Sequence, residues 1–506
     1  MTAHFDAIVI GGGSAGSAAV RRLHDAGLDV ALLEAGGWDT NPAIHEPRRM
    51  HELWLSEDDW GYFSTPQRHA AGRRLHLPRG KVLGGSHALN GMIYVRCSPA
   101  DFDQWAELGN EGWAWDDVFP IYRAMERYEK GASELRGGDG PLDVIRDYRL
   151  NAVQQAVIEA GIAAGIPYND DYNGETVDGI SSQQVTMRDG KRLTSYGAYV
   201  KPILDSARLT VETGAWVHRL LFDDGRAVGV EVEQRGELRA LFADEIVLSA
   251  GSFDTPRILM RSGIGPADHL RELGLPVLID RPAVGRNLQD HFLAPVIFTT
   301  DAKPVPPIED GMGIMQSHFF WRSTPGLRLP DVQPVHFSTP AYEPWMTGPE
   351  NGFTLMAGLV TPKSRGSVRL SGPEPHDPIL IDLGLYSDPE DLETMLAAVR
   401  LCERIGASAP LTSEWGARQL YPESTELGDD ELRDYIRRAT VTYHHAAGTC
   451  RMGVDDEAVV TPRLEVRGVP GLRIADASIM PFITAGNTNA PAILIGEQVA
   501  RFMLAD

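Results

Sequence analysis

The chain begins with a short apolar, β-branched run from Phe5 to Ile10, a glycine turn, a small-residue segment from Ser17 to Val20, and a second apolar run from Val30 to Leu33. Two continuous apolar runs around a helix-length segment predict a βαβ unit whose parallel strands are buried on both faces. The apolar spacing of Trp113, Val118, Ile121, Met125 and Tyr128 predicts a helix over 105–130; a linker rich in glycine and charge follows at 131–141, and 151–165 reads as an amphipathic helix. Residues 208–217 and 228–233 alternate as strands joined at Asp223-Asp224-Gly225, and 245–250 is a buried strand leading into a helix start at Gly251. From 292 to 440 the texture changes. Short runs at 296–300, 317–321, 332–338, 353–360, 366–370 and 379–383, broken by Pro and Gly, predict an antiparallel sheet, and Pro389 to Ile405 predicts a helix capped by Asp388.

These patterns predict an α/β chain: a Rossmann-like nucleotide domain carrying an inserted α+β substrate domain built on an antiparallel sheet. The nucleotide domain is expected at 1–155, 205–291 and 441–506, and the inserted domain at 156–204 and 292–440. A length of 506 residues suits two or more domains, and 43% hydrophobic with 23% charged residues is ordinary globular composition. The net charge of −23 argues against nucleic acid or an anionic membrane as partner. Three scattered cysteines, Cys97, Cys402 and Cys450, make neither a disulfide framework nor a metal-binding spacing. With the first strand at Phe5 there is no room for a signal peptide ahead of it, and no apolar run approaches a membrane span, so the expected setting is cytoplasmic.

The turn after the first strand carries Gly11, Gly13 and Gly16 in G-x-G-x-x-G order, with Ser14 and Ala15 opening the helix. Glycine is needed there for a tight turn, for approach of a pyrophosphate to the backbone and for close helix–strand packing, and the helix N-terminus supplies free N–H groups. Glu34, followed by Ala35, ends the second strand eighteen residues after Gly16, where a carboxylate accepts from an adenosine ribose and disfavours a 2′-phosphate. That pattern alone leaves FAD and NAD both open. A second turn, Gly84-Gly85-Ser86, with Arg79 and Lys81 close in sequence, reads as another diphosphate cradle.

The run Pro78–Arg96 (PRGKVLGGSHALNGMIYVR) resembles the first signature of the glucose–methanol–choline (GMC) family of flavoprotein oxidoreductases, and Gly251–Gly265 resembles the second. Val284–His291, Pro362–Gly366 and Asp476–Pro481 extend the resemblance over essentially the whole chain. It implies FAD, on the architecture shared with p-hydroxybenzoate hydroxylase. It further implies cofactor contacts from Val82, Asn90, Gly91 and Met92 in the first signature, and from the Val217 backbone at the adenine. Ala250 and Gly251, Asp476 and Ala477 at the ribityl chain, and the backbone of Asn489 and Pro491 complete that set. Position 87 is histidine where Ser or Thr is commoner, and the residue aligned with a known covalent flavin tether is Leu89, so non-covalent FAD is expected.

Flavin-dependent alcohol oxidation needs a base for the hydroxyl proton and a donor for the oxygen as charge develops. By resemblance, counting back from Gly448-Thr449 places the base at His445, with His444 as a pocket wall, and Asn487 at the site of the donor, with hydride passing to flavin N5. The strand from Ile314 to Trp321 is aromatic and lacks a carboxylate; His318, Phe320 and, further on, His336 are candidate pocket residues. That composition favours an aryl- or furan-type primary alcohol over a choline-type one, which would want an acid or an aromatic cage. A lyase using FAD without net redox is the alternative of another class. The acceptor is expected to be O2 or a quinone- or dye-type molecule. Histidine spacing gives no metal site.

Overall fold

The computed structural model describes residues 4–505. Its first sheet is built on the strand His4–Ile10, whose Ala7 to Ile10 are buried, paired in parallel with Val30–Glu34 on one side and Glu237–Leu248 on the other. Leu209–Thr213 extends it in parallel beyond Val30–Glu34. Glu237–Leu248 is long enough to serve two partners. Its first half pairs antiparallel with Arg226–Gln234, which in turn pairs with Ala215–Asp223, while Ile246 to Leu248 pair in parallel with Leu472–Ile474. The chain therefore returns, more than 200 residues later, to add a strand to the nucleotide sheet.

The expected strand at 208–217 is two strands, because Gly214 adopts a φ of +63° and turns the chain from the parallel pairing of Leu209–Thr213 into the hairpin. The expected helix at 105–130 is likewise divided. Pro99–Glu107 and Trp115–Met125 are separate helices, broken where Gly109 and Gly112 take φ of +89° and +85°, and Glu126–Tyr128 continues as a strand. Apolar positions at helical spacing persist across such a break, whereas left-handed backbone favours glycine.

A second, antiparallel sheet runs in the order Ala417–Tyr421, Phe292–Thr300, Gly352–Leu359, Val335–Phe337, Met315–Phe320, Gly179–Ser182. Phe292–Thr300 and Gly352–Leu359 are buried throughout. The helix Pro389–Gly406 covers this sheet; the Asp388 side chain accepts the Glu390 N–H at 2.9 Å and proline occupies the first helical position, as the sequence pattern predicts. Gly366–Leu370 pairs with Arg286–Leu288 on one side and Ile379–Asp382 on the other in a separate small sheet. Among the described residues no helix is long and apolar enough to cross a membrane.

The two ends of the chain lie side by side. Helix Asn489–Ala505 packs on helix Ser14–Asp25, where Gly496 rests on the Ala15 carbonyl and Arg22 makes a bidentate pair with buried Glu497 at 2.6 and 3.0 Å. Ser14 Oγ donates to Asn489 Oδ1 at 2.6 Å. A Cβ at Gly496 would overlap backbone that has nowhere to move, so Gly496→Ala is expected to cost about 3 kcal/mol. A fall in the urea midpoint, with a parallel loss of bound FAD, checks this.

Candidate active site

One continuous cavity passes from the glycine turn to the C-terminal segment. At its nucleotide end the two glycine turns close on each other. Gly84 N–H donates to the Gly12 carbonyl at 2.8 Å, and a Cβ on Gly85 would lie 2.7 Å from Gly13 Cα. A Cβ on Gly11 would overlap the Ser249 carbonyl and one on Gly16 the Gly11 carbonyl. This is a cradle that only glycine permits, and it presents backbone N–H groups and a helix start to a diphosphate.

Glu34 is buried, with Oε2 accepting from Gly12 N–H and Oε1 from Gly36 N–H, both at 2.8 Å. Burial pushes its carboxyl up to about 7, against the pull of those two N–H groups. Glu34 lines the cavity, where a ribose would meet it. Asp476 caps the helix Gly251–Arg261, its Oδ2 accepting from Gly251 N–H at 2.9 Å and Thr255 Oγ1 at 2.6 Å.

Of the residues expected to hold the cofactor, Gly11, Gly13, Ser14, Ala15, Glu34 and Ala35 line the cavity. So do Arg79, Gly85, Ser86, Asn90 and Gly91 from the first signature, and Val217, Ala250, Gly251, Asp476, Ala477, Asn487 and Asn489 from later segments. Gly16, Val82, Gly84, Met92 and Pro491 lie a layer behind: Gly16 against Gly11, Gly84 on Gly12, Val82 with Leu53 and Ile44, Met92 with Val185 and Met187, Pro491 in the first turn of the last helix. They shape the cradle without facing it.

At the other end, the strand Val441–Thr442 adds to Phe292 and Leu293, which sets the residues following it beside those preceding Phe292. His445 N–H donates to Asp290 Oδ1 at 2.7 Å and its Nδ1 meets His291 Nδ1 at 3.0 Å. Tyr443 stacks on the His445 ring at 4.5 Å. His445 Nε2 lies 3.3 Å from Asn487 Nδ2. The neighbouring His444 is held elsewhere: its backbone has φ +67°, Thr442 Oγ1 bonds both its N–H and its Nδ1, Arg79 holds its carbonyl, and its ring meets Trp54 edge-on. The structure thus brings His445, not His444, next to Asn487.

Burial, reinforced by His291, His444 and Arg79, holds His445 well below the usual histidine range, and burial pushes His291 down to about 3. Both rings are neutral, so one Nδ1 must donate to the other. The backbone at Val360 and Thr484 favours the protonated ring against burial, and the remaining His291 nitrogen, Nε2, is buried without a hydrogen-bond partner. A proton there makes His291 Nδ1 the acceptor and His445 Nδ1 the donor, leaving a lone pair on His445 Nε2, on the side of Asn487.

The strand candidates fall differently. Val335 and Phe337 line the cavity, so His336 between them points away, its Nδ1 on Ser317 Oγ at 2.7 Å. A register shift between Met315 and Ser317 sets Met315 opposite Phe337 and His318 opposite Val335, so His318 shares the cavity face of the sheet, but it and Phe320 pack on Tyr172 beyond the lining. Leu293, Met315, Val335, Phe337, Tyr443 and Trp54 supply apolar or aromatic lining instead, and the lining carboxylates, Glu34, Asp254 and Asp476, are engaged with the nucleotide turns, with Tyr62 and Arg257, or with the helix at Gly251. His291 and Asp290 carried no local signal beyond their place in the Val284–His291 run. Among the described residues one group has metal-like spacing, His218, Glu233 and His376, where a single carboxylate oxygen already meets both Nε2 atoms at 2.9 and 3.0 Å.

GMC oxidoreductase family models match residues 5–293 and 362–496. The chain belongs to the GMC oxidoreductase family, and it is an FAD-dependent oxidoreductase acting on alcohols. It is 39% identical to an oxygen-dependent choline dehydrogenase of Sinorhizobium fredii, over 99% of this chain and 95% of the relative. Its structure superposes on pyridoxine 4-oxidase from Mesorbium loti with a TM-score of 0.95 at 35% identity, covering 99% of each chain. A formate oxidase of Aspergillus oryzae superposes with a TM-score of 0.91 at 26% identity, over 99% of this chain and 98% of that one.

His336 isolates the sign of the buried histidines. Its folded pKa of about 3 lies below the unfolded value near 6.5, so unfolding takes up a proton between those limits, and stability falls as pH drops through that window. Glu34 and Asp101, raised by burial to about 7, act in the opposite direction. Replacing His336 by Gln should therefore reduce the stability lost between pH 7.5 and 5 by about 2 kcal/mol, read from urea midpoints at the two pH values.

Proposed function

We propose that this enzyme oxidises an aryl- or heteroaryl-type primary alcohol to the aldehyde, with non-covalent FAD, His445 as base and Asn487 as oxygen donor. The observation that carries this reading is His445 Nε2 and Asn487 Nδ2, 3.3 Å apart, beside apolar and aromatic walls whose lining carboxylates are all engaged elsewhere. FAD, when bound, supplies the acceptor for the carbinol hydride. A hydroxyl set between the two side chains donates to His445 Nε2 and accepts from Asn487 Nδ2, so proton removal and stabilisation of the developing alkoxide occur at one oxygen. His291 holds the ring orientation and tautomer while Asp290 fixes the backbone beneath it. Exclusion of water by Leu293, Met315, Val335 and Phe337 strengthens both contacts.

Non-covalent binding follows from the first-signature loop. His87 is buried away from the cavity with both ring nitrogens engaged, Nδ1 accepting from Ser195 N–H at 3.0 Å and Nε2 bonded to Thr186 Oγ1 at 2.9 Å. Leu89, which does line the cavity, has no nucleophile. The similarity to pyridoxine 4-oxidase supports a heteroaromatic alcohol and oxygen as acceptor. A choline-type alcohol is the second reading, favoured by the similarity to choline dehydrogenases and by the faces of Trp54 and Tyr443.

Acid precipitation should release all the flavin into the supernatant. Anaerobic addition of benzyl, furfuryl or pyridylmethyl alcohol should bleach it, faster than choline at equal concentration, and in air each aldehyde should be matched by one peroxide. His445→Ala should keep FAD yet slow flavin reduction by about 10²–10⁴-fold. Because burial depresses His445, the wild-type reduction rate should stay level from pH 8 to below pH 6.5. Preference for choline would move the reading to the second alternative, and a flavin that stays yellow with every alcohol would defeat both.

A further inference from the structure

We propose that Gln333, a residue outside the cavity on the strand side of its wall, is a positioning residue that fixes which end of the Asn487 amide faces His445. The inference rests on the donor–base reading of Asn487 and His445. An asparagine amide has nearly the same shape when turned by 180°, so its partners decide whether nitrogen or oxygen is presented. Gln333 Nε2 donates to Asn487 Oδ1 at 2.8 Å, and both side chains are buried. With Oδ1 committed to that donor, Nδ2 is turned to His445 Nε2.

The reverse arrangement uses the same atoms. If Gln333 presented Oε1, Asn487 would give it Nδ2 and show Oδ1 to His445. An oxygen facing Nε2 is satisfied only when Nε2 carries a proton, and a protonated Nε2 cannot take one from an alcohol. The two amides are therefore coupled, and one joint orientation alone yields a donor beside a base.

Gln333 is itself biased toward the productive orientation. Its Nε2 also lies 3.2 Å from His318 Nδ1. His318 is fully buried between Tyr172, at 4.5 Å, and Phe320, at 5.2 Å, surroundings that keep the ring neutral. His318 Nε2 and Gln333 Oε1 are both buried without a hydrogen-bond partner, so the bias is specific to one tautomer: with the ring proton on Nε2, Nδ1 is an acceptor, which the amide NH2 fits and the amide oxygen does not. The backbone gives little freedom to escape, since Gln333 N–H bonds the Gly358 carbonyl at 2.9 Å and a Cβ on Gly358 would overlap the Gln333 carbonyl. His318 and Gln333, neither of which lines the cavity, thus set the polarity of the pair that does.

The test is a double-mutant cycle on the holoenzyme: Gln333→Leu, Asn487→Ala and the combination, with Gln333→Glu as an acceptor-only variant. Gln333→Leu is expected to retain FAD and the apparent affinity for alcohol while slowing anaerobic flavin reduction by ~10–100-fold, and Gln333→Glu to be at least as slow. In the Asn487→Ala background, Gln333→Leu should add less than about 2-fold, because the group it acts through is gone. Multiplicative effects in the double variant, or unchanged reduction in Gln333→Leu, would overturn the proposal. If Gln333→Leu fails to bind FAD, Gln333→Met keeps the side-chain length and takes its place in the cycle. A readout without turnover is the 15N-histidine NMR spectrum, assigned against His445→Ala. His445 Nε2 should be unprotonated in the wild type and carry a proton in part of the Gln333→Glu population. Should no alcohol reduce the wild-type flavin, the oxidation reading fails by itself. The histidine spectra still decide the role of Gln333, an unchanged His445 tautomer in Gln333→Glu counting against it.

Discussion

The site depends on short strands that the chain adds late. Leu472–Ile474 pairs with the second half of Glu237–Leu248, and Val441–Thr442 pairs with Phe292 and Leu293. Neither is long enough to be stable alone, since two or three residues fix more backbone entropy than their hydrogen bonds return. Each is held by a neighbour that is already buried. The first places Asp476 at the start of the helix Gly251–Arg261, and the second places His445 beside Asp290 and His291. Asn487 is then positioned between them, by the packing of Asn489–Ala505 on the first helix. Residues far apart in sequence come within a few ångströms because two sheets each accept one more strand.

Such a site must bury polar groups, and apart from Arg79 and Asp290, which face each other's charge, it does so with neutral histidines. His87, His291, His318, His336 and His444 are all pushed down to about 3, and His445 is held well below the usual histidine range, with burial the largest cause in each case. A neutral imidazole can donate at one nitrogen and accept at the other, so a chain of them transmits orientation without carrying charge through a low-dielectric interior. An ion pair in the same place would suffer a desolvation penalty and leave any unpaired partner exposed to it. Depression also matches the chemistry: a base that is already unprotonated at neutral pH needs no activation before it meets a hydroxyl.

The parts of the site legible in the sequence are those whose cause is local. Gly11, Gly13 and Gly16 are required by contacts within one turn, and Glu34 by its place at the end of the next strand, so spacing reveals them. His445 and Asn487 sit in short runs with a recognisable pattern. Gln333 and His291 act on partners more than 150 residues away, and no periodicity announces that a glutamine side chain reaches an asparagine across a domain. The pocket strand shows a further limit. The aromatic and histidine content of 314–321 is plain, but which face meets the cavity is set by an irregularity in register between Met315 and Ser317, and one step of register turns every side chain to the other face. His336 accordingly faces away from the cavity, whereas His318, opposite Val335, shares the cavity face but lies beyond the lining, against Tyr172.

That placement alters what the wall means for selectivity. With His336 turned away and His318 beyond the lining, the reacting end presents rings and branched side chains, and its polar groups are His445 and Asn487 with His444, Thr488 and Arg79 nearby. On the proposed reading a substrate is recognised at two points: its hydroxyl, by the His445–Asn487 pair, and its body, by shape and apolar area. Apolar shape discriminates weakly between neighbours of similar size, about 10- to 200-fold per methylene, whereas a committed hydrogen-bonding pair rejects molecules lacking the hydroxyl far more strongly. The geometry therefore predicts an enzyme strict about the alcohol group and permissive about the ring that carries it, with tolerance limited by the size of the walls at Phe337 and Trp54.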